Sequence, residues 1–182
     1  MFFPPSPYTY RELDNYFDTK SFLFDSDEHL WIATKKGIIR IMDSQKNLLG
    51  YLSPDGELAQ TETVFAEGGI YVMLKDQAQT IWLGSKENGL FRLVPRNRPY
   101  HYEVYHYMNN PSDPYSISDN KISCIDEDHN GRIWIGTYGG GLNLVEEKED
   151  GAIRFIHAEN KLSGFPINRT NRIRCMGEGP GH

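Results

Sequence analysis

The sequence contains no long run of apolar residues and has only two cysteines. No stretch of the 182 residues approaches the ~20 consecutive apolar residues that a membrane-spanning helix requires. The opening segment, MFFPPSPYTYRELD, has no basic region, no long apolar core and no small-residue cleavage site, so we do not expect a signal peptide there. The cysteines, Cys124 and Cys175, are too few for a disulfide framework. We therefore expect no membrane contact within this chain.

Positive charge and helical periodicity are also scarce. The 19 Lys and Arg residues stand against 25 Asp and Glu residues, which gives a net charge of −6. A nucleic-acid groove needs a clustered basic face, and the one basic cluster, NRTNRIR, is short. No nucleic-acid partner is therefore expected. No segment shows a sustained apolar period of 3.6 residues, whereas 11 Tyr, 17 Gly and 10 Pro favour strands and turns.

A repeat of 51 to 52 residues is the dominant feature that the sequence does contain. Three segments align on a tryptophan: LWIATKKGIIRI, IWLGSKENGLFRL and IWIGTYGGGLNLV. An aspartate precedes each tryptophan by six positions, and glycines recur in the turns around it. These repeat positions are Trp31, Trp82, Trp134, Asp25, Asp76, Asp128, Gly37, Gly89, Gly131, Gly140 and Gly141. A fourth copy begins with NRIRCMGE at Asn171 and aligns Cys175 with Cys124.

Within each copy the alternation of apolar and polar residues predicts four short antiparallel strands. We place them near 19–25, 29–34, 37–42 and 46–52, near 69–75, 80–85, 89–94 and 100–108, and near 120–127, 132–137, 141–146 and 152–157. Four strands at this period indicate a propeller blade. The predicted fold class is all-β, a partial β-propeller of about three and a half four-stranded antiparallel blades. The predicted divisions are an N-terminal extension over 1–18, blades over about 19–67, 68–119 and 120–170, the first strand of a fourth blade over about 171–178, and a tail over 179–182.

The segment SISDNKISCIDEDHNGRIWIGTYGGGLNLV, residues 116–145, resembles the two-component-regulator propeller repeat. That family's pattern is roughly S-L-x-x-N-x-I-x-x-I-x-x-D, then x-x-G-x-L-W-I-G-T, then x-x-G-G-L-N. The resemblance is closest in the third copy and loosest in the first, where Ala33 replaces a glycine. It implies a periplasmic or otherwise extracytoplasmic signal-input module of a bacterial two-component or cyclase-linked membrane receptor. In some such receptors the ligand is an oligosaccharide, and the kinase or cyclase would lie outside this chain.

The stretch DEDHNGRIWIGTYGGG also has features of two ligand-binding loops. Asp126, Asp128, Asn130 and Gly131 occupy positions 1, 3, 5 and 6 of an EF-hand loop. Position 12 of that loop needs a bidentate glutamate, and here it is Thr137. The glycine run is not followed by the lysine and helix of a Walker loop. We therefore predict hairpin turns here, with no metal and no cofactor.

The aromatic stretch PYHYEVYHYM, residues 99–108, contains side chains that could bind a metal. It is better explained as an outer strand. His101 and Glu103 share one strand face, whereas His106 lies on the other. An aromatic strand on the blade rim, or a contact patch for a partner, fits this pattern better. No GxSxG elbow, HExxH motif or cysteine beside a base is present, so the chain is not predicted to be an enzyme.

The repeated tryptophans and cysteines are predicted to be core residues. A sugar-stacking platform would normally be singular, whereas a tryptophan at the same place in every copy suits packing between blades. Cys124 and Cys175 occupy matched inner-strand positions, and a disulfide between neighbouring blades remains the alternative. The sequon Asn168-Arg169-Thr170 matches glycosylation by pattern only.

Three functions remain open from the sequence. The leading one is the ligand-sensing or signal-input propeller module that the resemblance implies. The alternatives are a fragment of a carbohydrate-active propeller enzyme, a lyase or glycosidase, and a non-catalytic protein-interaction propeller. The expected partners are the remaining blades of a full-length propeller and an oligosaccharide or other small ligand, whose contact residues the sequence does not identify. Because an open arc leaves blade faces bare, we also expect self-association through those faces.

Overall fold

The computed structural model describes residues 18–160 and residue 173, and all regular structure there is β-strand. Blade 1 contains β1 (Thr19–Phe24), β2 (Leu30–Thr34), β3 (Ile39–Met42), β4 (Leu48–Leu52) and β5 (Leu58–Ala59). Blade 2 contains β6 (Ile70–Lys75), β7 (Ile81–Ser85), β8 (Leu90–Pro95) and β9 (Tyr102–Tyr107). Blade 3 contains β10 (Ile122–Glu127), β11 (Ile133–Thr137), β12 (Leu142–Glu147) and β13 (Ile153–Ile156). These residues include no helix long and apolar enough to cross a membrane.

Each blade is one antiparallel sheet in which neighbours in sequence are also neighbours in space. This order confirms the predicted all-β class. Blade 1 differs from the prediction, because it carries a fifth strand of two residues, β5. The turn after β4 explains it: the Ser53 N–H donates to the Glu57 carbonyl at 2.9 Å, and Gly56 takes a φ of +84° that reverses the chain. The returning residues then pair with β4.

The hairpin between the second and third strands has the same length in every blade, because the N–H groups of Thr34, Ser85 and Thr137 each donate to the carbonyl four residues on. The glycine of the turn comes one residue earlier in blade 1, TKKG against SKENG. As a result Trp31 lies opposite Ile41, whereas Trp82 lies opposite Arg92. A shift of one residue exchanges the two faces of a strand. Blade 1 therefore presents an apolar neighbour to its tryptophan, while blade 2 presents an arginine.

The blades stack through their inner strands. One core cluster joins blade 1 to blade 2 and contains Trp31, Ile70, Met73 and Leu83, and a second joins blade 2 to blade 3 and contains Trp82, Ile122, Ile125 and Ile135. Small residues of blades 2 and 3 are closely approached by the residues that follow them around the arc. A Cβ added to Gly84 would lie 2.5 Å from a methyl carbon of Ile122, and one added to Gly136 would lie 2.6 Å from Ile173. The small residues thus set the distance between blades.

The rim of the arc adds hydrogen bonds between the first two blades. The Tyr102 N–H of β9 donates to the Gly56 carbonyl at 2.9 Å, and Glu57 forms an isolated β-bridge with His101. The side chains of Arg98 and His101 also pair with the Glu57 carboxylate. Blades 1 and 2 are therefore joined at both the axial side and the rim.

Of the predicted first strand of a fourth blade, only Ile173 lies within the described residues. Its N–H donates to the Thr137 carbonyl at 3.0 Å, at the end of β11. Cys124 is buried beside Gly136. The N-terminal extension up to residue 17, the sequon at 168–170, Cys175 and the tail lie outside the described residues.

Candidate functional site

The aspartate of each repeat binds the tryptophan that follows it. The indole Nε1–H donates to a carboxylate oxygen in all three blades: Trp31 to Asp25 at 3.0 Å, Trp82 to Asp76 at 2.7 Å and Trp134 to Asp128 at 2.8 Å. The other oxygen of each carboxylate accepts N–H groups of the turn between the first two strands. The aspartate thus fixes this turn to the tryptophan of its blade. Trp31 and Trp82 are buried as predicted, whereas Trp134 is only partly buried.

In the third blade these contacts change the acidity of the carboxyl group. The Trp134 indole, together with the backbone and side chain of Arg132 and the backbone of Asn130, holds the pKa of Asp128 well below its ordinary value. Gly131, with a φ of +74°, completes the turn. The stretch that resembled a calcium loop therefore uses Asp128 to accept hydrogen bonds from protein donors.

Among the described residues one group could bring ligand atoms for a metal together, namely Asp25, Asp27 and His29, whose candidate atoms lie within 4.8 Å of one another. The oxygens of Asp25 already accept the Trp31 indole and the N–H groups of Asp27 and His29. This arrangement has the geometry of the turn contacts found in the other blades. It carries no separate indication of a bound ion.

The aromatic strand predicted at 99–108 forms β9, the outermost strand of blade 2. Its three metal-type side chains have separate partners. His101 pairs with Glu57 of blade 1, and Glu103 pairs with Arg96. The His106 ring is stacked on Phe91 with centroids 4.2 Å apart. The structure therefore does not bring the three side chains to one point.

A groove opens at each junction between neighbouring blades. Junction groove 1–2 has a volume of about 150 Å³ and is lined by residues that include Asp25, Lys75, Tyr100 and Tyr102. Junction groove 2–3 has a volume of about 230 Å³ and is lined by residues that include Trp82, Arg92, Arg132, Glu147 and Ile153. Both lie beside the turns that the repeat aspartates hold.

The walls of junction groove 2–3 combine charge with apolar surface. The Arg92 guanidinium lies over the Trp82 ring, 5.5 Å from its centroid, and its Nη2 lies 3.4 Å from Glu147. Its Nε is buried and has no hydrogen-bond partner in the part of the chain that the structure describes. Ile133 and Ile153 supply apolar walls. The groove therefore places the Arg92 guanidinium beside a nonpolar surface.

Blade 1 also has an open face. Phe22, in β1, is 64% exposed, whereas Met73 and Ile125 at the same place in the next two blades are each 8% exposed. Those two residues pack on the preceding blade. Phe24 of the same strand is also exposed. The strand therefore presents large apolar side chains where the other blades have a neighbour.

Sequence reasoning did not find the junction grooves, because they depend on how loops of one blade meet the next. The one available signal was the unusual stretch at 99–108, which contains Tyr100 and Tyr102. Both rings pack against Trp31 of blade 1, with centroids 6.3 and 5.8 Å from it. Burial near Asp25 and Asp27 raises the pKa of Tyr102 to about 12.

The stacked four- and five-stranded sheets define the chain as part of a β-propeller. It superposes with a TM-score of 0.52 on the β-propeller domain of Cps50 (Swd1) from Myceliophteria thermophila, at 15% identity, over 85% of this chain and 47% of that one. Residues 116–139 match the profile of the two component regulator propeller family. The chain thus carries a repeat of that family, which confirms the resemblance inferred from the sequence.

Two bacterial proteins are similar over most of the chain. Histidine kinase P4 of Formosa agariphila is 24% identical over 165 residues, which is 82% of this chain and 11% of the kinase. The extracellular domain of a proposed hybrid two component system of B. thetaiotaomicron superposes with a TM-score of 0.57 at 25% identity, over 87% of this chain and 18% of that one. The chain therefore spans less than a fifth of either relative. It is a propeller module similar to the extracellular part of two-component sensors.

Proposed function

We propose that this chain is part of the ligand-sensing, signal-input propeller of an extracytoplasmic receptor of the bacterial two-component type. The observation that carries the proposal is the match of residues 116–139 to the two component regulator propeller family. The similarity to an extracellular domain of a hybrid two component system and to a histidine kinase supports the same class. The output domain and the membrane anchor would belong to the rest of such a receptor.

The geometry of the blades is suited to sensing. Loops from several blades converge at the ends of a propeller, and such convergence is where ligand sites form in folds of this kind. Three blades supply only part of that surface, so the remaining blades of the ring are the first partners we propose. The open Phe22 face of blade 1 is the place where one of them would pack. The proposed ligand is an oligosaccharide or another small molecule of the cell exterior.

The complete reading frame tests the proposal directly. We expect further propeller repeats beside residues 18–160, a membrane-spanning helix, and a kinase or cyclase domain. A complete reading frame with neither a membrane helix nor an output domain would contradict the receptor assignment.

A ligand screen on the complete extracytoplasmic region tests the sensing part. We expect one class of oligosaccharide to raise its melting temperature by several degrees, because a ligand that binds only the folded state stabilises it. In the full-length protein the same ligand should change autophosphorylation. Release of new reducing ends from that oligosaccharide would instead favour the carbohydrate-active enzyme. A stable protein partner with no ligand-induced shift would favour the interaction propeller.

A further inference from the structure

The loop between the third and fourth strands closes in the same way in blades 2 and 3, although it is one residue longer in blade 2. Its first residue donates an N–H to the last, and the acceptor is the carbonyl of His101 in blade 2 and of Ala152 in blade 3, both at 2.8 Å. The residue just before the acceptor takes a left-handed conformation in each case. It is Tyr100 in blade 2, with a φ of 54°, and Gly151 in blade 3, with a φ of 80°. Tyr100 and Gly151 are therefore equivalent positions.

Tyr100 fills much of the space at the junction of blades 1 and 2. Its ring lies 6.3 Å from the Trp31 ring, and its hydroxyl is hydrogen-bonded to His29 Nδ1. A non-glycine residue in the left-handed region is strained, and it persists only where its surroundings favour it. The contacts of the Tyr100 ring with blade 1 provide those surroundings. The Tyr100 side chain therefore fills the junction between the two blades.

The junction of blades 2 and 3 has no tyrosine at the equivalent position. Gly151 has no side chain, and a Cβ added to it would have no described atom within 4 Å. Thr80 stands at the position of His29, and Ile153 stands at the position of Tyr102. These three differences leave the larger cavity, about 230 Å³, in junction groove 2–3.

The polar groups of junction groove 2–3 favour an uncharged ligand that has an oxygen atom. The Arg92 guanidinium lines the groove and carries only N–H donors, so it favours an acceptor. Glu147 is 59% exposed and can accept a proton donor from the same partner. Arg92 and Arg132 offset two of the three carboxylates that line the groove, which are Asp76, Glu127 and Glu147. Asp76 already accepts the Thr80 N–H and the Trp82 indole N–H. A net charge on the ligand is therefore not required.

We propose that junction groove 2–3 binds a phenol, a small uncharged aromatic ring with one hydroxyl, in the place that Tyr100 occupies at the neighbouring junction. The hydroxyl oxygen accepts an N–H of the Arg92 guanidinium, and the hydroxyl donates its own hydrogen bond to the Glu147 carboxylate. The ring packs against Ile133 and Ile153. The phenol is either a free small molecule or the side chain of a tyrosine in a peptide. The groove belongs to this chain alone, so the proposal does not depend on the receptor assignment.

Titration of the chain with p-cresol, monitored by NMR, tests the proposal. The chain has three tryptophans, and their three indole N–H signals can be assigned with single Trp→Phe variants. We expect p-cresol to shift the Trp82 signal and to leave the Trp31 signal in place, with a dissociation constant on the order of 1 mM, which is usual for so small a ligand. No shift of the Trp82 signal at saturating p-cresol would overturn the proposal.

Two substitutions at one position provide a matched pair. Gly151→Tyr should place a ring in the groove and weaken p-cresol binding at least tenfold. Gly151→Ala adds the same backbone strain without a ring and should change the affinity less than twofold. The unshifted Trp31 signal reports that both variants keep the fold. Equal effects of the two substitutions would place the ligand elsewhere and overturn the proposal.

A reciprocal variant and two other ligands complete the test. Tyr100→Gly should open junction groove 1–2 and add a second, weaker p-cresol site that shifts the Trp31 signal. N-acetyltyrosinamide in place of p-cresol should bind with similar or higher affinity if a tyrosine side chain is the natural occupant, and more weakly if a free phenol is. Tighter binding of methyl glucoside than of p-cresol would overturn the aromatic class.

Discussion

At the scale of single residues, the most regular contact is the bond between an indole N–H and the aspartate six positions before it. It occurs in all three blades, although the residues around it differ. A carboxylate suits the position because it has two acceptor atoms, one for the indole and one for the amides of the turn. An amide side chain would turn an N–H donor towards one of these donors.

This contact gives a prediction about acid stability for Asp128→Asn. A carboxyl group with a depressed pKa in the folded state contributes stability above its unfolded pKa, near 4, and loses it as the pH falls through the folded value. We expect the variant to unfold at lower urea than the wild type at pH 7, and the difference to shrink steadily below pH 4. Urea unfolding followed by tryptophan fluorescence between pH 7 and 2 measures it.

Asp150→Asn is the matched control for that measurement, since Asp150 accepts a turn amide but no indole. It should follow the wild-type pH profile more closely than Asp128→Asn. A constant difference between Asp128→Asn and the wild type from pH 7 to 2 would contradict the role assigned to the carboxylate.

At the scale of strands, the second strand of each blade carries a small residue that pairs with a residue of the first strand. Where the small residue is larger, its partner is smaller. Ala33 faces Ser21 in blade 1, and Gly84 faces Val72 in blade 2. In blade 3 the same place is Gly136, opposite Cys124. The volume shared by the two positions is limited because the next blade's inner strand packs on them. Ala33, which looked like a departure from the family pattern, is accommodated by the small Ser21.

Gly84→Ala should therefore destabilise the protein by about 1–3 kcal/mol, the usual cost of excess volume in a packed core. The added methyl would meet Val72 and Ile122 at 2.5 Å. Val72→Ala makes room on one side, so the double variant should be more stable than the sum of the two single changes implies. Strictly additive free energies of unfolding, measured by urea denaturation, would argue against the shared volume.

The strands and their turns could be predicted because the repeat presents the same local pattern several times. Pairing between successive strands depends on residues close in sequence, so β10 to β13 lie within two residues of their predicted bounds. Two features escaped prediction. The early glycine in the hairpin of blade 1 changes the partner of Trp31, and Tyr100 adopts a conformation that bulky residues rarely take. Both depend on contacts between elements that the repeat pattern does not encode.

At the scale of the whole molecule, the arc has an apolar face that its own blades do not cover. On β1, Phe22 is 64% exposed and Phe24 is 50% exposed. Blades 2 and 3 bury the residues equivalent to Phe22 against a preceding blade. The natural cover of this face is therefore another blade, and in the isolated chain the available one belongs to a second copy.

Phe22→Glu should weaken self-association of the isolated chain tenfold or more, because a charge would replace a large apolar contact. Tyr105→Glu is the control, since Tyr105 is 39% exposed but lies on β9 at the rim. Sedimentation or light scattering across the micromolar range provides the measurement. A wild-type chain that stays a clean monomer at high micromolar concentration would contradict self-association through this face.

The hydrogen bond at the rim between the Tyr102 N–H and the Gly56 carbonyl affects how the arc comes apart. A row of blades behaves as a one-dimensional array in which each member is held by its neighbours. Blades 1 and 2 share a sheet-like link at the circumference as well as a packed interface, so they form one cooperative unit. We expect opening fluctuations to begin at the junction with blade 3, and a steady pull on the two ends to separate that blade first.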